Sequence, residues 1–174
     1  DVDVLRVAAK ADEETLAAGL DELWRRRILR ERSGGDGNSY DFSHGKIREV
    51  AAELVPPARR RLLHRRIATA LETLHADEPD PVSAQIAVHH EGAGAAATAI
   101  TWYRRGARAA QVLHAHHDAI RLLDRALHLI AQQPTARTRD AVELELVTDR
   151  LVPLVEATGY ASDEMSATHQ RALA

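Results

Sequence analysis

Small and aliphatic side chains dominate this chain and narrow the folds open to it. Alanine supplies 32 of its 174 residues and leucine another 20, whereas Trp, Tyr and Phe together account for 3%. Alanine has the highest helix propensity of any residue, and small side chains let helices pack at short interaxial distances. Strands favour β-branched and aromatic residues instead. The composition therefore predicts a mainly α fold in which helices pack on helices.

Hydrophobic spacing divides the chain into helical segments separated by turn-forming residues. Helical patterns occur in the segments 4–11, 13–28, 47–54, 57–74, 82–90, 96–113, 116–131, 138–157 and 163–174. The acidic run that starts at Asp12 predicts the N-terminus of the second of these. The one strand pattern is the alternation of apolar and polar residues over 40–43. We expect residues 28–32 to pair with that strand across the glycine-rich segment 33–39.

The helices over 96–131 match the spacing of a tetratricopeptide repeat. This repeat needs small residues where its two helices cross, and Ala107, Ala119 and Ala126 have the required separations of 12 and 7 residues. Tyr103 stands at the aromatic position of the first helix. The other helices fit only as degenerate copies, so we expect an antiparallel helical array. Such arrays normally end in polar capping units, and the lack of one at either end predicts a segment of a longer protein.

Charge, cysteine content and motif searches exclude several function classes. The net charge is −3, so no overall basic field favours nucleic acid. The absence of cysteine excludes disulfides and thiolate chemistry and fits a cytoplasmic location. The longest stretch without a charged residue, 92–103, is shorter than the roughly 20 apolar residues of a membrane span. No G-x-x-x-x-G-K-[ST] motif occurs, since Gly45-Lys46 is followed by Ile47.

Histidine and arginine clusters are the remaining candidates for chemistry. His114, His116 and His117 fall at an expected turn, where they could form a loose metal site, but the H-E-x-x-H spacing of helix-borne zinc sites is absent. We prefer a structural role for them and assign no catalytic, cofactor-binding or metal-ligating residue. The arginine clusters can meet phosphates, acidic groups of a neighbouring domain, or solvent. The candidate interaction surface consists of Arg25, Arg26, Arg59, Arg60, Arg65, Trp102, Arg104 and Arg105.

Several segments in combination resemble a known protein family. The most specific are Phe42-Ser43-His44 with Ile47-Arg48-Glu49, followed by Arg60-Arg61-Leu62-Leu63-His64-Arg65-Arg66. They are similar to the region after the nucleotide-binding core of bacterial signal-transduction ATPases of the STAND class, as in LuxR-type and SARP-type (BTAD-containing) transcriptional regulators. The later segments 84–94, 119–127 and 159–164 resemble helical repeats and a turn of the same proteins. One departure is Ala52-Glu53, where relatives often carry an aromatic residue.

The resemblance implies both an architecture and a role. Residues 1–55 would form a winged-helix-like module with the short β-ribbon, and residues 56–174 a tetratricopeptide-like helical array. The family's ATPase motifs and DNA-reading helices are absent from this segment, so the expected role is a non-catalytic sensor without a cofactor. Its expected partners are the ATPase domain of the same polypeptide and an effector or protein bound by the array. DNA would be contacted through other domains, and no membrane contact is expected.

Three alternatives stay open from the sequence. The winged-helix module can bind DNA directly, through residues 25–32 or through the glycine-rich segment. The same region also occurs in cyclase-linked and kinase-linked signalling proteins, where its output would differ. The third alternative is a metalloprotein built on the three clustered histidines.

Overall fold

The computed structural model describes residues 1–32, 39–134 and 137–159, together with residues 167, 168 and 170. Across these residues the chain is mainly helical with a small two-stranded antiparallel sheet, which confirms the predicted fold class. A 3-10 turn at Asp80–Val82 precedes α5. The elements in chain order are α1 (Val2–Ala9), α2 (Glu13–Arg25), β1 (Leu29–Glu31), β2 (Tyr40–Phe42), α3 (Gly45–Leu54), α4 (Pro57–Leu74), α5 (Ser83–Gly92), α6 (Ala96–Val112), α7 (His116–Ala131) and α8 (Arg137–Thr158).

The chain divides into two compact units, Asp1–Ala76 and Asp77–Ala174. The sequence placed the boundary near residue 55, where Pro56 and Pro57 separate α3 from α4. In the structure α4 packs on α1 and so belongs to the first unit. The prolines interrupt the helix, but the apolar faces of α1 and α4 still need each other for burial. Their buried residues are Val4, Ala8, Ala68, Ala70 and Leu71.

Aspartates begin the first two helices. The Asp1 carboxylate accepts hydrogen bonds from the backbone N–H groups of Asp3 and Val4. The Asp12 carboxylate accepts one from Thr15 at 2.8 Å, and this bond holds the pKa of Asp12 below its ordinary value. Each cap satisfies backbone donors that have no partner inside the helix. The helix start predicted at Asp12 is confirmed.

A left-handed residue turns the chain from α2 into the ribbon. Arg27 has φ of 57°, and the next residue, Ile28, donates its N–H to the Leu23 carbonyl at 2.9 Å. This closing pattern normally uses glycine, since a Cβ is strained in the left-handed region. The two strands then pair in the register Leu29↔Phe42, Arg30↔Asp41 and Glu31↔Tyr40. The predicted strand and its partner are confirmed, while residues 33–38 of the predicted turn lie outside the described part.

The same tight turn connects α5 to α6 and α6 to α7. Gly94 closes the first turn with φ of 80°, and His114 closes the second with φ of 57°. In each case the residue after it donates its N–H to a carbonyl five positions earlier, at 2.9 Å. Because these turns are short and the helices they join pack on each other, successive helices run antiparallel. The second unit is therefore built from antiparallel helix pairs, as the sequence predicts for this region.

Small residues lie where these helices cross. Ala107, Ala119 and Ala126, which the repeat spacing selected, are at most 1% exposed, and Tyr103 is buried beside them. Gly106 marks the closest approach, because a Cβ there would lie 3.2 Å from the backbone nitrogen of Ala84 in α5. Larger side chains at these points would push the helices apart.

The last described helix, α8, packs on α7. Leu146, Val147 and Leu154 are buried on it, together with Pro153, which lies inside the helix. The chain leaves the helix at Gly159, with φ of 80°, where a stop was predicted. The final helix predicted over residues 163–174 lies almost wholly outside the described residues.

We expect Ala107→Leu to lower the free energy of unfolding by roughly 1–3 kcal/mol, because the added volume overpacks a close helix crossing. Ala97→Leu, at an exposed position of the same helix, makes the same chemical change and should shift it by less than about 0.5 kcal/mol. Urea unfolding followed by circular dichroism measures both. Equal effects of the two substitutions would mean that the crossing tolerates larger side chains.

Candidate functional site

A hydrogen-bonded triad ties α5, α6 and α7 together. The Tyr103 hydroxyl of α6 donates to Glu91 Oε2 of α5 at 2.7 Å. Arg125 of α7 donates to the same carboxylate twice, through Nε at 2.9 Å from Oε2 and through Nη2 to Oε1. Such two-point pairing of a guanidinium with a carboxylate fixes orientation as well as distance. A single carboxylate thus connects three successive helices.

The triad also shifts the ionisation of its members. The hydrogen bonds from Arg125, followed by that from Tyr103, hold the pKa of Glu91 below its ordinary value of 4.5, although partial burial acts in the opposite direction. Burial, followed by the hydrogen bond to Glu91, raises the pKa of Tyr103 above its ordinary value. Glu91 is therefore charged and Tyr103 neutral at neutral pH, and in this state the tyrosine donates and the carboxylate accepts.

A second set of ion pairs joins α6 to α8. Arg104 donates through Nε to Asp149 and through Nη1 to Glu145. Arg108, one turn further along α6, brings its Nη2 to 3.7 Å from Asp149 Oδ2. The Arg104 side chain is 24% exposed, so water screens its pairing less than it would a surface pair. The hydrogen bond to Asp149 is the first cause of the raised pKa of Arg104.

Arg150, the residue after Asp149 on α8, pairs as a cation with a carboxylate of α7. Arg150 donates through Nε to Asp124 Oδ1 of α7 at 2.6 Å, and through Nη1 to Thr168 Oγ1 at 2.7 Å. Its side chain is only 14% exposed. Consecutive charges of opposite sign on α8 thus bind two different helices, which specifies how α8 is oriented against them.

Trp102 and Arg105, both predicted interaction residues, lie together on α6. The Arg105 guanidinium carbon is 5.6 Å from the centroid of the Trp102 ring, within the range of a cation–π contact. Arg105 also donates through Nε to Asp80 Oδ1 at 2.5 Å. Trp102 packs partly against the buried cluster of this unit. Unlike Arg104, Arg105 keeps about half of its side chain exposed, so this pair stays accessible to a partner.

The predicted residues on α2 lie at its C-terminal end. Arg25 and Arg26 pair with the carboxylates one turn earlier, those of Asp21 and Glu22. Both arginine side chains are about two-thirds exposed, which makes these weak pairs that a partner can displace. Trp24 lies beside them and is 56% exposed. The end of α2 therefore presents an aromatic ring among arginines.

The predicted arginines on α4 serve different purposes. Arg60 donates through Nη2 to the carbonyl oxygens of Ala52 and Val55, at 2.5 and 3.3 Å. These carbonyls lie at the C-terminal end of α3, where no further turn of helix supplies donors. Arg60 is therefore engaged inside the first unit. Arg59 and Arg65 are exposed instead.

The three clustered histidines lie at the turn between α6 and α7. The rings of His114 and His116 meet edge to face with centroids 5.9 Å apart. The Nδ1 atom of His116 is buried without a hydrogen-bond partner among the described residues. Nowhere in those residues do three or more His, Asp or Glu side chains form a group that could hold a metal ion. The described part of the chain thus offers the metalloprotein alternative no ligand set.

Comparison with known proteins does not identify a family for this chain. No protein-family model matches it, and neither a curated protein nor a solved structure matches it. None of the described helices combines the length and the apolar character that a membrane crossing needs.

Most of the residues that pair the helices of the second unit are not evident from the sequence. Glu145 and Asp149 are four residues apart on α8, a spacing that places both carboxylates on one helix face. That spacing indicates from the sequence alone that α8 presents two carboxylates to the same partner. Their partner Arg104 lies 41 and 45 positions earlier, and only helix packing brings it close. The residues missed are Glu91, Asp124, Arg125, Glu145, Asp149 and Arg150.

We expect Glu91→Gln to flatten the acid limb of the stability profile. A carboxylate with a lowered folded pKa stabilises the fold above its ordinary value of 4.5, and this contribution is lost as the pH falls through the lowered pKa. The variant should be less stable by about 1–3 kcal/mol at neutral pH, with a smaller difference from wild type near pH 3.5. Urea unfolding at several pH values measures this, with Glu156→Gln at an exposed site as control. A difference that did not depend on pH would contradict the proposed role of the charge.

We expect Arg104→Gln to lower the free energy of unfolding by about 1–3 kcal/mol, because it leaves two carboxylates of α8 without their donor. The matched control is Arg121→Gln, since Arg121 pairs with Asp118 one turn earlier on α7 and is 77% exposed. That change should cost less than about 0.5 kcal/mol. Thermal and urea unfolding compare the two, and a loss no larger for Arg104 would contradict its role in joining α6 to α8.

Proposed function

We propose that this chain is a non-catalytic sensor and protein-interaction segment of a larger, cytoplasmic, ATP-dependent bacterial transcriptional regulator. In this role it couples the nucleotide state of an ATPase domain in the same polypeptide to the binding of an effector or partner protein. The resemblance to STAND-class regulators supplies the biological context. One structural observation supports the non-catalytic part of the proposal.

That observation concerns four partly buried charged side chains of the second unit. Glu91, Arg104, Asp149 and Arg150 each pair with a charged group on another helix, whereas the pair of Arg139 with Glu143 stays within α8. A catalytic site needs charged groups that face a substrate in a shaped pocket. Here these groups face each other and fix the order of the helices. This use of charge favours a scaffold over an enzyme.

Exposed apolar side chains on the same helices support partner binding. Large apolar residues are usually buried, and their exposure on an ordered helix marks surface available to a protein partner. In the second unit these residues include Val112 and Leu113 at the end of α6, each more than 75% exposed. The others at least half exposed are Val88, Leu144 and Val152.

The reading frame around this segment is the direct test of the proposal. About 300 codons on either side cover roughly two domain lengths each way. We expect a phosphate-binding loop upstream and a helix-turn-helix at one end of the full protein. A cyclase or kinase domain in place of the helix-turn-helix would select the signalling alternative. A frame that closed at both ends of the segment would contradict the proposal.

We expect the purified segment to show no ATP turnover above that of buffer, measured by phosphate release. We also expect a flat anisotropy titration against labelled duplex DNA at low salt, since the chain has a net negative charge. Robust ATP turnover would contradict the non-catalytic role. DNA binding with a steep salt dependence would instead favour the winged-helix alternative, and Arg30→Glu on β1 would then test whether the ribbon contributes.

A further inference from the structure

Five arginines lie within residues 57–66 of α4. They lie between residues 59 and 66, the first turn of the helix has no acidic residue, and Glu72 near the other end is its sole carboxylate. The N-terminus of a helix carries a partial positive charge, so Arg59 and Arg60 in the first turn are placed at the unfavourable end. Arg61 and Arg65 are also four residues apart, a spacing at which like charges repel on a helix. The local sequence of α4 therefore carries an electrostatic cost that an external anion would relieve.

The described part of the first unit does not neutralise this charge. The arginine and lysine side chains that form ion pairs among residues 1–32 and 39–76 are those of Arg6, Arg25, Arg26 and Lys46. Arg60 is engaged with the end of α3. The remaining arginines of α4 make no ion pair with a described residue, and three of them are exposed: Arg59, Arg61 and Arg65.

An apolar side chain lies in the middle of these arginines. Leu62 is 44% exposed, and the helix repeat puts Arg59, Arg65 and Arg66 three or four positions from it, on the same side of α4. Around the helix axis, residues 61 and 65 lie on one side of Leu62, and residues 59 and 66 lie on its other side. The surface thus combines two short rows of positive charge with a central apolar contact.

This combination fits an acidic protein helix better than the other polyanions. A DNA backbone gains little from a leucine, and the first unit carries 13 acidic residues against 14 basic ones, which opposes a long polyanion. A membrane-binding helix needs a wide apolar face, whereas Thr69 and Thr73 continue the face that holds Leu62. A short helix with acidic residues on both sides of an apolar one matches the charges and the leucine together.

We infer that the solvent face of α4, formed by the exposed Arg59, Arg61, Leu62 and Arg65 with the half-buried Arg66 at its edge, binds an acidic helical segment of a partner protein. Carboxylates of the partner pair with the two rows of arginine, and an apolar residue between them packs on Leu62. Guanidinium–carboxylate pairing at both flanks sets the orientation of the bound helix. This surface lies in the first unit and is separate from the exposed apolar residues of the helical array.

The test uses the whole chain and a fluorescein-labelled helical peptide with glutamates flanking one leucine at matching spacings. We expect the peptide to bind the wild-type chain with an affinity that falls as the salt concentration rises. The double substitution Arg61→Glu with Arg65→Glu should lower that affinity about tenfold or more. Lys46→Glu with Arg48→Glu, at two exposed positions of α3, changes the charge equally in the same unit and should alter affinity less than about threefold. A peptide with lysine in place of glutamate should bind the Arg61→Glu, Arg65→Glu chain more tightly than it binds the wild-type chain. Misfolding of the variant cannot produce such a gain in affinity.

Three results would overturn the inference. The first is no binding of the acidic peptide to the wild-type chain at low salt. The second is an equal loss in both double variants, which would indicate nonspecific charge attraction. The third concerns the other polyanions. If the Arg61→Glu, Arg65→Glu substitutions weakened binding of duplex DNA or phosphatidylserine vesicles but left binding of the peptide unchanged, α4 would be assigned to another class of partner. None of these readouts depends on ATP turnover or on the reading frame, so this inference and the proposed function fail independently.

Discussion

Close crossing of helices at small side chains is the constraint on which the second unit depends. A Cβ at Gly106 would lie 3.2 Å from the backbone of α5, tighter than ordinary van der Waals contact, and Ala107 and Ala126 are almost completely buried. At such short distances the backbones, rather than long apolar side chains, form much of the contact. Beside these crossings, larger apolar side chains such as Ile100, Leu123 and Leu127 complete the buried interface. Hydrogen bonds and ion pairs across it gain importance for choosing one arrangement among several that pack equally well.

The interhelical charges supply that choice. Alanine surfaces are smooth, so helices could slide along or rotate against each other with small changes in buried area. Arg104, Arg125 and Arg150 each pair with a carboxylate on a different helix, and a shift of one turn would leave those groups unpaired. An unpaired, partly buried charge costs more than a lost apolar contact of similar size. We therefore regard these pairs as determinants of helix order more than as sources of net stability.

Local features of this chain were predictable from the sequence, and long-range ones were not. Helix periodicity located α6 and α7, Asp12 marked the start of α2, and the alternation at Tyr40 and Phe42 marked a strand, because each depends on neighbouring residues. The spacing of Ala107, Ala119 and Ala126 even indicated a helix crossing. The pairing of Arg104 with α8 depends on which helices pack together, which no local pattern encodes. The prolines after α3 likewise indicated a break but not which unit α4 joins.

Arginine has opposite roles in the two units, and the difference follows from where each side chain lies. In the second unit, Arg104 and Arg150 are mostly buried, so each needs a partner within the fold and finds one. On α4, Arg61 and Arg65 are exposed, so water can solvate them and folding does not require a carboxylate nearby. Repulsion between them is then tolerated at a small cost. A sequence cluster of arginines therefore has no single meaning. Those that meet a carboxylate or a carbonyl of another helix, such as Arg104 and Arg60, are structural, and exposed ones such as Arg61 and Arg65 remain available to a binding partner.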